Sequence, residues 1–240
     1  MIAFCQVMLV FEKDVKKIEM RVILSFFVLL FPWRVRRLLL RWIFRYNIHP
    51  SAHVGYTILL SKQVEMGPNS CIGHLNVVKG VDALKMDAYA RIGNLNWITG
   101  FPVDRNTHFS LQIDRKPLLQ IGEHSAITNR HLIDCTDAVT IGKFTTVAGF
   151  RTVILTHSIN LTDNHQAAHP IRVGDYCFLG TCCTLLGGSS LPNYSVLGAN
   201  SLLNKEYEEQ YCLYGGVPAK FIHKLDPSLK YFNRTIGFVE

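Results

Sequence analysis

The sequence predicts an all-β fold in which short strands wind into a triangular coil, with an amphipathic helix before it and a short extension after it. Three observations predict this fold. Aliphatic residues recur at every sixth position from Ile48 onward, glycine often follows them, and an apolar, arginine-rich stretch precedes the repeat. A period of six fits neither a helix nor an alternating strand. It fits a short strand and a tight turn with one inward aliphatic side chain, and three such units close one coil.

The repeat falls into four series of aliphatic residues at a spacing of six. A β-sandwich would not keep one spacing over four runs, because its strands and turns vary in length. The third series continues after a two-residue slip. The four series are Ile48, Val54, Leu60, Met66, Ile72, Val78; Met86, Ile92, Ile98; Ile121, Ile127, Ile133, then Ile141, Val147, Val153, Ile159; and Val173, Leu179, Leu185, Leu191, Leu197, Leu203.

The N-terminal part divides into a leader or mis-assigned extension at 1–19, with Met20 as an alternative start, and an apolar and basic helix at 20–47. The apolar run at 22–33 would reach only about 18 Å as a helix, against roughly 30 Å for a bilayer core. A signal peptide fits poorly, because arginines follow the run where small residues should form a cleavage site.

The arginine-rich part of this segment has a helical period. Arginines fall on one face and apolar side chains on another: Arg34, Arg37, Arg41 and Arg45 against Val35, Leu39, Trp42 and Tyr46. This pattern is typical of a helix that lies in the headgroup layer of a membrane. We therefore expect residues 20–46 to contact a membrane surface; the alternative is a helix docked on the protein's own body.

The composition narrows the class of protein. Hydrophobic residues make up 48% of the 240 residues, which excludes disorder, and the formal net charge is +7. Six arginines and no acidic residue lie between Met20 and Arg45, so the remainder is nearly neutral and offers no nucleic-acid surface. The seven cysteines include no C-x-x-C pair, which favours a reducing compartment. We expect a cytoplasmic protein, peripheral on the inner face of the cell membrane.

The repeat predicts a β-helix domain at 48–204 that is interrupted twice, with a C-terminal extension and cap at 205–240. Because a coil cannot lengthen without ejecting a loop, loops are expected near 100–118 and 160–170. Loops on a rigid scaffold often hold functional residues. His157, in "LTHS", leaves the strand at the root of the second loop, where its imidazole would stand at the edge of a groove between coils.

From about Leu119 to Leu225 the chain resembles the galactoside, maltose and xenobiotic O-acetyltransferases and their polysaccharide-modifying relatives. The resemblance lies in "LTHS", "HPIRVGDYCFLG", "LPNYSVLGANSLL" and "GGVPAKFI", in that order. Residues 48–98 match only as a generic repeat. The resemblance implies a left-handed parallel β-helix, a homotrimer with active sites between neighbours, and acetyl-CoA as co-substrate without a metal. The expected function is O-acetylation of a saccharide, as in surface polysaccharide or lipid-linked oligosaccharide assembly.

The resemblance, together with the general need of a catalytic imidazole for an orienting carboxylate, indicates roles for individual residues. His157 would remove the proton of the acceptor hydroxyl. Asp134, about one coil earlier, is expected to orient the imidazole, with Asp137 and Asp163 as competitors. Asn129 and His169 are expected at the acceptor. His165 is the alternative to His169, for which a turn role before Pro170 is equally plausible.

For coenzyme A, the resemblance implies small residues at the strand corners and cations for the phosphates. Gly180, Thr181, Gly198 and Ala199 match the corner positions. Lys205 and Lys220 match the basic sites. His223 stands where some relatives have arginine, so the contact to the 3′-phosphate departs from the family pattern there.

Three alternatives remain open at this stage. The same site could acylate the amine of an amino sugar. The scaffold could instead be a zinc enzyme like the γ-class carbonic anhydrases, which gather three histidines on one zinc between subunits. The third alternative is a non-catalytic β-helix that tethers partners to a membrane.

Overall fold

The computed structural model of this chain describes residues 20–104, 108–109, 111–237 and 239. The predicted leader at 1–19 lies outside the described residues. Helix α1 covers 20–29 in the described part, and helix α2 covers Trp33–Ile43. Pro32 precedes α2, and its fixed φ and missing N–H suit the start of a helix.

Seven coils follow the helices, and each coil contributes one strand to each of three parallel sheets, here called faces A, B and C. In chain order, with faces A, B and C in turn, the coils are β1 (Asn47–Ile48), β2 (His53–Val54), β3 (Ile58–Leu60); β4 (Gln63–Met66), β5 (Cys71–Ile72), β6 (Val77–Lys79); β7 (Ala83–Met86), β8 (Arg91–Ile92), β9 (Trp97–Thr99); β10 (Leu118–Ile121), β11 (Ala126–Ile127), β12 (Leu132–Asp134); β13 (Val139–Ile141), β14 (Thr146–Val147), β15 (Val153–Leu155), with a hairpin of β16 (His157–Asn160) and β17 (His165–Ala168); β18 (Ile171–Val173), β19 (Phe178–Leu179), β20 (Thr184–Leu186); and β21 (Ser190–Leu191), β22 (Val196–Leu197), β23 (Leu202–Leu203).

The inward aliphatic column is the one that the six-residue period predicts, with three corrections. Leu59 is buried in place of Leu60, and Ile154 is buried in place of Val153. The turn between β14 and β15 has one residue more than a regular hexad, and Gly149 adopts a φ of 69° there. This extra residue shifts the inward position by one. Ile159 also leaves the predicted column, because it lies in the hairpin and is exposed.

Both interruptions leave the prism at one edge, between faces C and A, which we call the C/A edge. The first excursion lies between β9 and β10, at 100–117. The second lies between β15 and β18 and contains the antiparallel hairpin β16–β17, in which His157 pairs with Ala168. The hairpin therefore begins at His157, three residues before the loop that the sequence predicts.

The N-terminal helices dock on the first coil through contacts that the helical stripe does not predict. Arg36 is buried and donates hydrogen bonds to the carbonyl oxygens of Val54 (2.7 Å) and Gly55 (3.1 Å). Tyr46, expected on the apolar stripe, lies outside α2 and is buried. Among the described residues, no helix has both the length and the apolarity needed to cross a bilayer.

The C-terminal segment closes the last coil and returns along the prism. Strand β24 (Cys212–Gly215) extends face B, β25 (Lys220–Lys224) pairs with it in antiparallel orientation, and a 3₁₀-helix covers Lys230–Asn233. Beyond it, the amide of Gly237 donates to Nδ1 of His124, so the segment reaches back to the fourth coil.

Candidate active site

The main polar contact of the site joins His157 to Asp134 at the C/A edge. Asp134 ends β12 and pairs in register with Leu155, two residues before His157. His157 Nδ1 lies 2.8 Å from Asp134 Oδ2, and the side chains are 31% and 6% exposed, respectively. The carboxylate is thus enclosed, while the imidazole remains open to solvent on one side.

Asp134 is held as an ionised acceptor. Its carboxylate accepts hydrogen bonds from Thr136 Oγ1 (2.6 Å), from Thr156 Oγ1 (2.6 Å) and from the amide of Thr156 (3.0 Å). Burial alone would raise the pKa of Asp134, but the hydrogen bonds from His157, Thr136 and Thr156 outweigh it and lower the pKa. Because an ionised carboxylate can only accept, Nδ1 of His157 carries the proton in this contact.

The imidazole is therefore arranged as a base. With its proton on Nδ1, a neutral His157 has its lone pair on Nε2. The hydrogen bond to Asp134 raises the pKa of His157, burial opposes this by lowering it, and the net direction is upward. A buried carboxylate that orients an imidazole in this way is the arrangement found behind general bases in hydrolases.

Two aromatic rings that were not predicted at the site lie against this imidazole and against each other, with their own centroids 5.6 Å apart. Phe101 and Phe109, both in the first excursion, approach His157 edge to face, with centroid distances of 5.8 Å and 6.0 Å. Arg115 lies over the Phe109 ring at 4.5 Å and is itself buried. A signal for this arrangement was present: both interruptions follow the third aliphatic residue of a coil, which places them at one edge.

Gln112 joins the two excursions. Its Nε2 donates to the carbonyl oxygen of Ala168 (3.3 Å), and its Oε1 accepts from the amide of Ala168 (2.6 Å). Gln112 and Arg115 also line a cavity of about 280 Å³ with Leu111, Asp114, Asp137 and Ala168.

The other carboxylates considered for His157 are occupied elsewhere. Oδ1 of Asp137 accepts from the amides of Lys116 (3.0 Å) and Ala138 (2.8 Å). Asp163 lies at the hairpin tip and accepts from Nδ2 of Asn160 (3.0 Å). Asp134 is thus the carboxylate that the fold brings to the imidazole.

The two residues predicted at the acceptor lie apart from each other. Asn129 is at the edge between faces B and C, the B/C edge, where its Oδ1 accepts from the amide of Asn94 (2.6 Å) and so contributes to packing between coils. His169 is exposed at the end of the hairpin, and its amide donates to the carbonyl oxygen of Thr156 (2.8 Å). Their roles toward an acceptor stay predictions.

The residues predicted for coenzyme A also divide between edges. Gly180 and Thr181 follow β19, and Gly198 and Ala199 follow β22, so all four lie at the B/C edge. A Cβ on Gly180 would stand 2.6 Å from the amide nitrogen of Ala199. Close packing between coils therefore accounts for this glycine.

The predicted cations occupy two further positions. Lys205 follows β23 and lies at the C/A edge, 5.0 Å from the ring centroid of Tyr207, and Lys220 begins the exposed strand β25. Within one chain, the four small residues lie at the B/C edge and His157 lies at the C/A edge, so the width of face C separates them.

The remaining histidines and cysteines form no second site within the described part of the chain. No group of three or more His, Cys, Asp or Glu side chains there could hold a metal ion. Burial lowers the pKa of His131 to about 4, and its ring bonds to Thr128 (2.9 Å) inside the B/C turn. Burial also raises the pKa of Cys177 to about 12, which leaves that thiol unreactive.

No family model matches the chain. Among solved structures, the polysialic acid O-acetyltransferase OatWY is similar at a TM-score of 0.57 and 20% identity, over 79% of this chain and 92% of that one. A hexapeptide-repeat-containing acetyltransferase from Vibrio cholerae covers 88% of this chain and 93% of its own, at 17% identity and a TM-score of 0.46. The N-acyltransferase AntD from Bacillus cereus, in complex with dTDP and coenzyme A, covers 79% and 89%, at 12% identity and a TM-score of 0.44.

The similarity to OatWY, together with the three parallel sheets, confirms the predicted fold class, a left-handed parallel β-helix of hexapeptide repeats. The resemblance to the hexapeptide-repeat acetyltransferases is thereby confirmed for the fold.

Proposed function

We propose that this protein is an acyltransferase that transfers an acetyl group from acetyl-CoA to a saccharide hydroxyl, with His157 as the general base. One observation carries the proposal: His157 Nδ1 lies 2.8 Å from the buried carboxylate of Asp134 at the root of a hairpin. The fold that holds this pair is shared with OatWY, an O-acetyltransferase. The motifs "LTHS" and "GGVPAKFI" of the O-acetyltransferase family support acetyl-CoA as the donor.

The proposed chemistry follows from the charge state of the pair. Nε2 of His157 removes the proton of the acceptor hydroxyl while that oxygen attacks the carbonyl carbon of the thioester. Asp134 stabilises the imidazolium that forms. When the tetrahedral intermediate collapses, the C–S bond breaks and the imidazolium returns its proton to the departing thiolate. No covalent enzyme intermediate is required if both substrates lie in one groove.

A homotrimer is part of the proposal, and the outer surface of face C supports it. In each strand of face C, the residue before the buried one points outward. These residues pair in register from coil to coil, and all but one threonine are apolar. The column is Ile58, Val77, Trp97, Leu132, Val153, Thr184 and Leu202. The corresponding column on face A is entirely polar: Asn47, Glu65, Lys85, Gln120, Thr140, Arg172 and Ser190. An apolar stripe with a single threonine in it is suited to packing against copies of the same chain.

Trimer formation through face C would bring the divided site together. Face C is bounded by the B/C edge, with Gly180 and Ala199, and by the C/A edge, with His157. When face C points toward a threefold axis, the B/C edge of one copy meets the C/A edge of the next. We therefore propose that the acetyl-CoA groove of one chain serves the His157 of its neighbour.

We also propose that the helical arm lies on an anionic membrane surface. The two helices and the turn between them expose large apolar side chains, including Ile23, Phe26, Leu30, Leu38 and Trp42, of which Leu30 is 79% and Trp42 is 83% exposed. Arginines of the same helices would contact the anionic headgroups. This location fits an acceptor that is lipid-linked or made by membrane-bound machinery.

Vesicle flotation tests the membrane contact. The double variant Leu30→Ser/Trp42→Ser should lose binding to phosphatidylserine-containing vesicles, because it removes apolar area that would enter the interface. Leu161→Ser is the matched control, since Leu161 is equally exposed but lies at the hairpin tip. Unchanged flotation of the double variant would refute the membrane role of the arm.

Incubation with labelled acetyl-CoA and candidate glycans tests the activity. His157→Ala should lower the rate by about two to four orders of magnitude, as expected for loss of a general base. Comparison of hydroxyl with amine acceptors decides between O- and N-acylation. Stoichiometric zinc in the purified protein would contradict the proposal in favour of a metal enzyme. Absence of any CoA release with every acceptor would favour the non-catalytic scaffold.

Subunit mixing tests whether the site lies between chains. His157→Ala and Ala199→Trp should each be inactive, the first without its base and the second with its groove filled by an indole. A cleft is intact when the groove of a His157→Ala chain faces the imidazole of an Ala199→Trp chain. Random assembly of equal amounts gives roughly one quarter of such clefts, so activity should return. Mixed trimers without activity would place both halves of the site in one chain.

A further inference from the structure

We infer that the first excursion holds the His157 imidazole in its reactive orientation, with Phe109 and Gln112 as positioning residues. This inference deepens the proposed function, on which it rests. A single hydrogen bond from Nδ1 to Asp134 fixes one atom of the imidazole. It does not fix the plane of the ring, which determines where Nε2 points.

The two phenylalanines supply that constraint. Phe101 and Phe109 meet the imidazole at interplanar angles of 84° and 87°. Perpendicular contacts of this kind are a favoured arrangement for aromatic pairs. Phe109 is only 1% exposed, so its ring is enclosed by other side chains where it meets the imidazole.

Arg115 holds Phe109 in place and links it to the carboxylate. Its guanidinium lies over the Phe109 ring and donates to the carbonyl oxygens of Pro102 (3.0 Å) and Thr136 (3.1 Å). Thr136 in turn donates its hydroxyl to Asp134. The excursion, the turn after β12 and the acid–imidazole pair therefore form one connected unit.

Gln112 fixes β17, the hairpin strand that pairs with the strand of His157. Ala168, to which Gln112 makes two hydrogen bonds, is the residue that pairs directly with His157 in the hairpin. The side-chain amide of Gln112 acts on Ala168 as a third strand would. Loss of this amide should let the hairpin move relative to Asp134 while the coils remain intact.

The charged and titratable groups around the imidazole come from three elements. Asp134 faces it from β12, Arg115 and His108 belong to the excursion, and Asp137 lies in the turn after β12. Neither Gln112→Ala nor Phe109→Ala removes any of these groups, and Gln112→Ala also keeps the contact between Arg115 and the Phe109 ring. A change in His157 titration in those variants would therefore report its orientation and burial.

Carbethoxylation by diethyl pyrocarbonate, followed residue by residue with mass spectrometry, tests the inference without requiring activity. The exposed His165 of the same hairpin is the internal reference. Gln112→Ala and Phe109→Ala should each raise the ratio of His157 to His165 labelling by about threefold or more, because local opening exposes the ring. Phe109→Ala should also move the pH midpoint of His157 labelling upward, since burial no longer opposes protonation. Leu111→Ala, at an exposed neighbour, should change neither.

The outcomes separate this inference from the proposed function. If the activity proposal holds, Gln112→Ala should lower kcat about tenfold with an unchanged KM for acetyl-CoA, because a misplaced base slows the chemical step. Unchanged labelling ratios in both variants, with circular dichroism that shows them folded, would overturn the inference even if His157 proves essential. Changed labelling without any transferase activity would uphold the positioning and overturn the function.

Discussion

Replacing Asp134 with asparagine tests the central pair with almost no change in shape. The carboxylate accepts from His157 Nδ1, from two threonine hydroxyls and from the amide of Thr156. An asparagine amide keeps one acceptor oxygen and directs an NH₂ group at some of these donors. The neutral imidazole can then adopt the other tautomer, with its proton on Nε2, which has no lone pair for the acceptor.

The expected loss can be worked from this geometry. A hydrogen bond to a charged group contributes about 1.5–3 kcal/mol, which corresponds to roughly ten- to a hundredfold in tautomer population. Loss of the charge that stabilises the imidazolium adds to this, so kcat should fall by about 10² to 10⁴. The free energy of unfolding should fall by about 2–4 kcal/mol, because buried donors lose their partner.

The pH dependence provides a second measure. In the wild type, Asp134 raises the pKa of His157, so kcat/KM should rise with pH along a limb above about pH 6.5. Asp134→Asn removes that effect while burial still lowers the pKa, so the limb should move to lower pH. Asp137→Asn is the control, since among the described residues the Asp137 carboxylate accepts from the backbone amides of Lys116 and Ala138. A pH profile and kcat within twofold of the wild type would refute the role assigned to Asp134.

Further predictions concern the core, the assembly and acid stability. Ile154→Ala should lower the free energy of unfolding by about 2–5 kcal/mol, whereas Ile159→Ala should change it by less than about 0.5 kcal/mol; equal effects in denaturant titrations would contradict the inward position of Ile154. Leu132→Glu should reduce the mass measured by light scattering to that of a monomer, while Gln120→Glu, on face A of the same coil, should not. The lowered pKa of Asp134 contributes stability above the unfolded pKa of about 3.9, and this stability is lost as pH falls through the folded pKa. Asp134→Asn should therefore flatten the acid limb of the unfolding curve, and an unchanged limb would refute this contribution.

The inward aliphatic column shows how well the six-residue period predicts which residues are buried. Val173 to Leu203 is buried at each sixth position as predicted, because every turn in those coils has the same length. Ile154 was missed because one additional residue in a turn shifts the inward position, and the six-residue count does not register such a shift. The count still located both interruptions, since the rigid coils leave no other place for the additional chain.

The amphipathic helix shows a contact that a periodic pattern could not predict. Its stripe of arginines suggested a surface in contact with headgroups, yet Arg36, outside that stripe, is buried against two carbonyl oxygens of the first coil. A helical wheel describes side-chain direction around one axis. It contains no information on which carbonyl groups another element leaves unpaired beneath it.

By itself, the sequence determined the coil, the loop root at which an imidazole leaves it, and Asp134 as one candidate carboxylate about one coil away, because period and spacing are local properties of a repeating chain. Only the tertiary structure decided that Asp134 rather than Asp137 or Asp163 meets the imidazole, and that Phe109 and Gln112 reach the hairpin from the first excursion. These contacts join segments more than twenty residues apart, and their geometry depends on how irregular loops pack against one another, which no periodic pattern encodes.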